Sequence, residues 1–193
     1  LLAAASHDLR QPLHALGLYT AALAARTSAT ELQPLVRSVQ GAVNALEGQF
    51  EQLLDLSRLE VGGFAPAWTR VPLAPLFARV TSELQPQAAL RALSLRAVPT
   101  PLAVISDPAL LERIVRNLCC NAIRYTERGG VLLTARRRGD AVALDIVDTG
   151  IGIAPDDCAK IFDEFYQVRS AGRSAHGGMG LGLAIVRRLA VLL

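Results

Sequence analysis

Asn117, Asn121 and Arg124 lie four and three residues apart in a stretch of helical periodicity, so they share one helix face. Two neutral amide oxygens on that face can complete the shell of a hard divalent cation such as Mg2+, whose other ligands are phosphate oxygens and water. A guanidinium beside them can answer phosphate charge. By themselves, the three residues read more readily as a solvated polar face. Asp148-Thr149-Gly150-Ile151-Gly152-Ile153 follows an alternating apolar run. An Asp there can accept a hydrogen bond from an exocyclic amine such as adenine N6, and glycines let the backbone approach a flat base. Alone, it is a turn with two glycines. Gly177-Gly178-Met179-Gly180-Leu181-Gly182-Leu183 opens the last helical run. Backbone N–H groups of a Gly-rich turn at a helix N-terminus suit phosphate. No Gly-Lys-Ser/Thr follows, and the run does not open a βαβ unit, which disfavours a Walker loop and a dinucleotide fold.

The elements that must position these residues are readable from periodicity. A helix is predicted over 73–90, strands over 93–98 and 103–106, and a helix starting at Asp107-Pro108, with Asp as N-cap and Pro at the first helical position. That helix continues to Tyr125. Alternating runs at 131–137 and 141–148 are joined at Gly139-Asp140 as a hairpin, and a last helix covers 182–192. Upstream, residues 31–59 carry Leu32, Val36, Val39, Val43, Leu46, Phe50 and Leu53 at alternating spacings of four and three, a heptad seam. A first helix over 3–25 carries Leu9, Leu13, Leu16 and Leu23 on one stripe, with Pro12 bending it. Thr27–Thr30 is the turn, with Thr30 as N-cap of the second helix. Two helices cannot bury both seams alone, so a dimer closing a four-helix bundle is the expectation. The fold class is therefore α+β: an antiparallel helical hairpin over 1–61, a linker at Val61–Pro66, and an α/β sandwich over 67–193.

Composition bounds the remaining classes. Hydrophobic residues make up 51% of the 193, enough for a sizeable core. The net charge of +3 argues against a dedicated nucleic-acid binder. Up to Pro66, four arginines face six acids, and the excess of basic residues lies in the second part, which suits a polyanionic ligand. Cys119, Cys120 and Cys158 form neither a disulfide framework nor a metal-ligand spacing; buried structural thiols and a reducing compartment are expected. No apolar run reaches roughly 18 residues, so no membrane contact is expected of this stretch. No signal core is present, and the absence of an initiator Met suggests a piece of something longer.

At this point the residues carry a resemblance. Asn117-Leu118-Cys119-Cys120-Asn121-Ala122-Ile123-Arg124-Tyr125-Thr126 resembles the N box of histidine kinases, and Asp148, Gly150, Gly152 and Ile153 resemble their G1 box. Phe162-Asp163-Glu164-Phe165 is similar to their F box, and Gly178, Gly180, Gly182 and Leu183 to their G2 box, with Leu181 between. Ser6-His7-Asp8-Leu9-Arg10-Gln11-Pro12-Leu13 resembles their H box. The resemblance implies a Bergerat-type ATP fold shared with gyrase, mismatch-repair and chaperone ATPases. It implies that Asn117 and Asn121 hold Mg2+, that Arg124 meets phosphate and Asp148 adenine, and that Tyr125, Ile153, Leu181 and Leu183 line the nucleotide site. Residues 154–179 would form an ATP lid carrying Arg169, Arg173 and His176.

The implied activity is that of a sensor histidine kinase in a two-component system, autophosphorylating on His7 with Asp8 as its partner. The phosphoryl group then passes to an aspartate on a response-regulator receiver domain, separate or in the same parent chain; the wording of the H box resembles hybrid kinases. Neutral imidazole is a good nucleophile near neutral pH, and Asp8 can orient the ring and take a proton from its other nitrogen. His14 lacks an acidic neighbour and reads as a packing or surface residue. Gln11 stands where relatives with phosphatase activity carry Asn or Thr. Hydrolytic members of the superfamily place a Glu at the position of Asn117, and a neutral amide cannot act as that base. The alternative is a non-catalytic dimeric ATP-binding scaffold that regulates another kinase. The resemblance further implies a homodimer, a cytoplasmic location (with anchoring of the parent in the inner membrane as one arrangement) and further strands after residue 193.

Overall fold

The computed structural model describes residues 16–23, 32–60, 65–168 and 179–193. His7, Asp8, Gln11, His14, Arg169, Arg173, His176 and Gly178 lie outside the described residues, as do Pro12 and the turn at Thr27–Thr30. The chain divides into two compact units, one N-terminal to Ala65 and one containing the greater part of the chain from Ala65 on.

In the first unit residues 16–23 are helical (α1), and α2 runs over Gln33–Glu60. The heptad seam of α2 splits into two stripes. Val36 and Val43 are buried and Phe50 is half-buried, all seven apart. Leu32, Val39, Leu46 and Leu53, also seven apart, remain 42–52% exposed. One edge of the seam is thus covered within the chain and the other is open. Leu16 and Leu23 on α1 are exposed as well.

The second unit contains β1 (Thr69–Pro72), α3 (Leu73–Leu90), β2 (Ser94–Ala97), β3 (Ala103–Ser106), α4 (Pro108–Tyr125), β4 (Gly130–Arg138), β5 (Ala141–Asp148) and α5 (Gly182–Leu192). Short β1 pairs antiparallel with β3, and the other strands form a sheet in the order β2-β4-β5. β2 and β4 are parallel, with α4 in the crossover between them, while β4 and β5 form the Gly139-Asp140 hairpin, Val131 opposite Asp148. Helix spacing explains the packing. Leu73, Leu76, Phe77, Val80, Leu84 and Ala88 line one face of α3 and are buried. Leu111, Val115, Cys119, Ala122 and Ile123 do the same on α4. Both faces close on Leu95, Val131 and Leu133 of the sheet. The opposite face of α4 is thereby directed away from the core, and that face carries Asn117, Asn121 and Arg124.

One expectation needs correction. Only Cys119 is buried; Cys120 is half-buried and Cys158 exposed, because Cys158 sits in a turn segment after β5 and not on a packed face. The pairing of β1 with β3 and a 3-10 turn at Lys160–Phe162 were not anticipated, since four- and three-residue elements carry too few residues for a periodic signal. Among the described residues no helix is long and apolar enough to cross a membrane.

Candidate functional site

The helix that carries the site is fixed first at its amino end. Asp107 Oδ1 accepts from the N–H groups of Ala109 and Leu110, both at 2.9 Å, and Oδ2 accepts from the Ala67 N–H at 2.8 Å. The Leu110 N–H above all, then that of Ala67, holds the carboxyl below its ordinary value against the opposing effect of burial. Pro108 follows at the first helical position, where its missing N–H is not needed.

Asn117, Asn121 and Arg124 then project from α4 as half-buried residues. The start of α5 comes against them. A Cβ built on Gly182 would stand 3.7 Å from Asn117 Oδ1, 3.8 Å from Asn121 Nδ2 and 4.0 Å from Asn121 Oδ1. The two amides therefore converge on one point at the amino end of α5. Both ends of the Asn121 amide are nearly equidistant from it, so either can be turned inward. Converging amide oxygens beside the N–H groups of a helix start form a cradle that fits a divalent cation and the phosphates it carries. Among the described residues there is no competing His/Cys/Asp/Glu cluster that could hold a metal.

The turn after β5 docks on the other end of α4. Asp148 is exposed, its Oδ1 accepts from Gly150 N–H at 2.8 Å, and its Oδ2 has no partner among the described residues. The Ile151 N–H donates to the Tyr125 carbonyl at 3.2 Å. A Cβ on Gly150 would lie 2.6 Å from that same carbonyl oxygen and 2.7 Å from Asp148 Oδ1, so only glycine allows the approach. Gly152 and Ile153 follow, Ile153 exposed, and Tyr125 is exposed beside them. Thr149 locks the base of the turn, donating to Arg128 O at 2.8 Å and accepting from Gly130 N–H at 3.1 Å.

Gly180 adopts φ +73, and its missing Cβ would stand 2.7 Å from the Tyr166 carbonyl, which brings the residues before the last helix against Phe165 and Tyr166. Phe165 itself has φ +61 and is exposed, and Phe162 is half-buried. Tyr166 donates to Asp157 Oδ1 at 2.5 Å, a bond that raises the phenol above its ordinary value. Arg188 of α5 pairs with Glu164, and Arg187 lies 3.7 Å from Asp163. Leu181 is fully buried and Leu183 half-buried. Burial pushes the Cys119 thiol up to about 12, so it is a packing group and not a nucleophile. Cys120 is also raised by burial, against the pull of Arg116 and Arg124.

The structure therefore brings together the Asn117–Asn121–Arg124 face, the Asp148–Ile153 turn and the Gly180–Leu183 start of α5. Sequence reasoning missed Arg91, which donates to the carbonyls of Ile123 and Arg124; Thr126, the last residue of the N-box run, has a buried hydroxyl without a hydrogen-bond partner among the described residues. Arg91 carries no local signature.

Comparison with known proteins supplies the family. Residues 106–193 match the family described as histidine kinase-, DNA gyrase B-, and HSP90-like ATPase. That match defines the class of the second unit. Residues 1–62 match the His Kinase A (phospho-acceptor) domain. Over 188 residues the chain is 34% identical to the sensor-like histidine kinase SenX3 of Mycobacterium tuberculosis, covering 96% of this chain and 46% of that protein. It is 32% identical to the signal transduction histidine-protein kinase BarA of Escherichia coli K12, over 97% of this chain and 21% of BarA. Among solved structures, full-length ShkA in complex with AMPPNP superposes with a TM-score of 0.77 at 30% identity, covering 98% of this chain and 40% of ShkA. The Acinetobacter baumannii histidine kinase AdeS shares the fold, with a TM-score of 0.65 at 23% identity over 97% of this chain and 87% of AdeS. The chain belongs to the sensor histidine kinases, and it spans less than half the length of these curated relatives.

Proposed function

We propose that this chain is the catalytic core of a sensor histidine kinase that moves the γ-phosphoryl group of ATP onto His7. The observation that carries the reading is the convergence of Asn117 and Asn121 on the amino end of α5. Those amide oxygens would hold Mg2+ and the α5 N–H groups the phosphates, Arg124 would balance charge, and Asp148 would accept from the adenine amine. A ring nitrogen of His7 attacks the γ-phosphorus, the bond to the ADP oxygen breaks, and Asp8 takes the proton from the other ring nitrogen. Asn117 is no general base, so transfer to His7 is favoured over hydrolysis. The phosphoryl group passes on to an aspartate of a receiver domain, as the family assignment supports. Gln11, with a longer arm than Asn or Thr, is the candidate to orient a water that hydrolyses the phospho-aspartate of the receiver domain and releases phosphate.

The open stripe Leu32, Val39, Leu46 and Leu53 supports a homodimer, since a second copy presents the same heptad spacing. ATP as phosphoryl donor and the absence of disulfides among the described cysteines support a cytoplasmic setting.

The test is incubation with Mg2+ and ATP carrying a radioactive γ-phosphate. Label stable to base, labile to acid and absent from His7→Ala is expected, with ATP binding retained in that variant. Asn121→Ala should lose both label and affinity. Label persisting in His7→Ala, or lost only in His14→Ala, refutes the assignment of His7. ATP bound without label would favour the regulatory scaffold.

A further inference from the structure

The last turn of α4 is held by a residue from another helix. A helix end leaves its final carbonyls without internal partners. Here Ala122 O accepts from Thr126 N–H at 3.1 Å and Tyr125 O accepts from Ile151 N–H at 3.2 Å. The two carbonyls between them, Ile123 and Arg124, both accept from Nη1 of Arg91, at 2.8 and 2.6 Å. The end of α3 puts Arg91 there. Leu93 N–H donates to Ala88 O at 2.9 Å and Ala92 N–H to Ala89 O at 3.0 Å, the paired bonds of a Schellman turn. Ala92 takes φ 54 in the position that glycine usually fills, and Leu93 and Ala88 are buried as that motif requires. Arg91, the C-cap residue of α3, thereby serves as the cap of α4.

We propose that Arg91 is a positioning residue for nucleotide binding. The inference rests on the nucleotide-site reading above. The turn that Arg91 holds touches both halves of the candidate site: it carries the Arg124 side chain, assigned to phosphate, and the Tyr125 carbonyl on which the Gly150-Ile151 turn docks. A guanidinium places a fixed positive charge at the negative end of the helix and spans adjacent carbonyls. Without it two carbonyls revert to water, the turn frays, and the Ile151 N–H loses a fixed acceptor.

The test is calorimetric binding of Mg-AMPPNP to the full chain and to Arg91→Met, Arg91→Lys and Arg79→Met. Arg79 also reaches from α3 to α4, meeting Glu112 at 2.6 Å, but toward the opposite end of α4. Arg91→Met should weaken binding about tenfold, the scale of a lost charge-assisted cap. Arg91→Lys should recover part of it, and Arg79→Met should stay within about twofold of the parent, as for an exposed ion pair. Amide exchange at Ile151 and Thr126 should speed up in Arg91→Met while Leu110 is unchanged. Unchanged affinity in Arg91→Met, or an equal loss in Arg79→Met, overturns the inference. A parent chain that fails to bind AMPPNP would instead overturn the nucleotide reading, and exchange at Ile151 would then decide on the cap alone.

Discussion

The two ends of α4 are finished in opposite ways. At the amino end one side chain, Asp107, satisfies the N–H groups of Ala109 and Leu110 from its own place in the chain. At the carboxyl end the acceptors are satisfied by Arg91 and Ile151, which lie 32 or 33 and 26 residues away in sequence from their partners. The first arrangement is local to the helix start apart from one bond to the Ala67 N–H, lies away from the candidate nucleotide site and serves the fold. The second draws three separate segments to one point, and that point adjoins the candidate nucleotide site. A cap remote from the ligand can be lost with a cost in stability only. A shared cap couples stability to ligand geometry.

Substitutions at the two ends should separate along that line. The largest effect is expected from Gly150→Ala, whose methyl would meet the Tyr125 carbonyl at 2.6 Å. Undocking the turn should cost about 2 kcal/mol by overpacking, read by thermal denaturation, and should abolish most Mg-AMPPNP binding in calorimetry. A variant that binds normally would break the comparison.

Next comes Asp107→Ala, which removes three hydrogen bonds and should cost about 2 kcal/mol in denaturant titration, with nucleotide affinity unchanged in the folded fraction. The same carboxyl sets a pH dependence. Its folded value lies below the ordinary 3.8, so its contribution is whole above 3.8 and is lost as the pH falls through the folded value. Asp107→Asn should flatten that part of the acid stability profile, and an unchanged profile would remove Asp107 from it.

A smaller effect of opposite sign is expected at Thr126, the C-cap of α4. Replacing its buried, unpartnered hydroxyl by a methyl in Thr126→Val should stabilise by about 0.5–1 kcal/mol. A loss of that size would mean that the hydroxyl is satisfied in solution, for instance by an internal water. The smallest is Ala92→Gly. Relief of the left-handed conformation, partly offset by the greater freedom of glycine in the unfolded chain, should leave a gain of roughly 0.5 kcal/mol in chemical denaturation.

The same contrast explains what was legible in the sequence. Asp107-Pro108 announces a helix start because the cap and the capped groups are neighbours. The Gly139-Asp140 hairpin and the α3 and α4 core faces are legible for the same reason: periodicity and turn chemistry are local. The Asn117–Asn121–Arg124 face was visible as a spacing, but its convergence with Gly182 required the tertiary fold, and before that only the family resemblance joined them. Arg91 gave no signal, because an arginine after a helix with alanine in the glycine position of the turn resembles ordinary surface sequence. The parallel pairing of β2 with β4 was hidden likewise, since four-residue β2 has too little pattern to name its neighbour. His7, the residue on which the proposed chemistry depends, was legible through its box alone and lies outside the described residues.

The split seam of α2 has a consequence of another kind. Val36 and Val43 are covered in a single chain, whereas Leu32, Val39, Leu46 and Leu53 leave apolar surface in water. Where a second copy covers that stripe, the free energy holding the helical unit together includes a term in protomer concentration. Dilution then acts on this half of the molecule as a denaturant would, and leaves the self-sufficient core of the other half untouched. The abundance of the protein in the cell becomes one of the variables that set how much of it is competent.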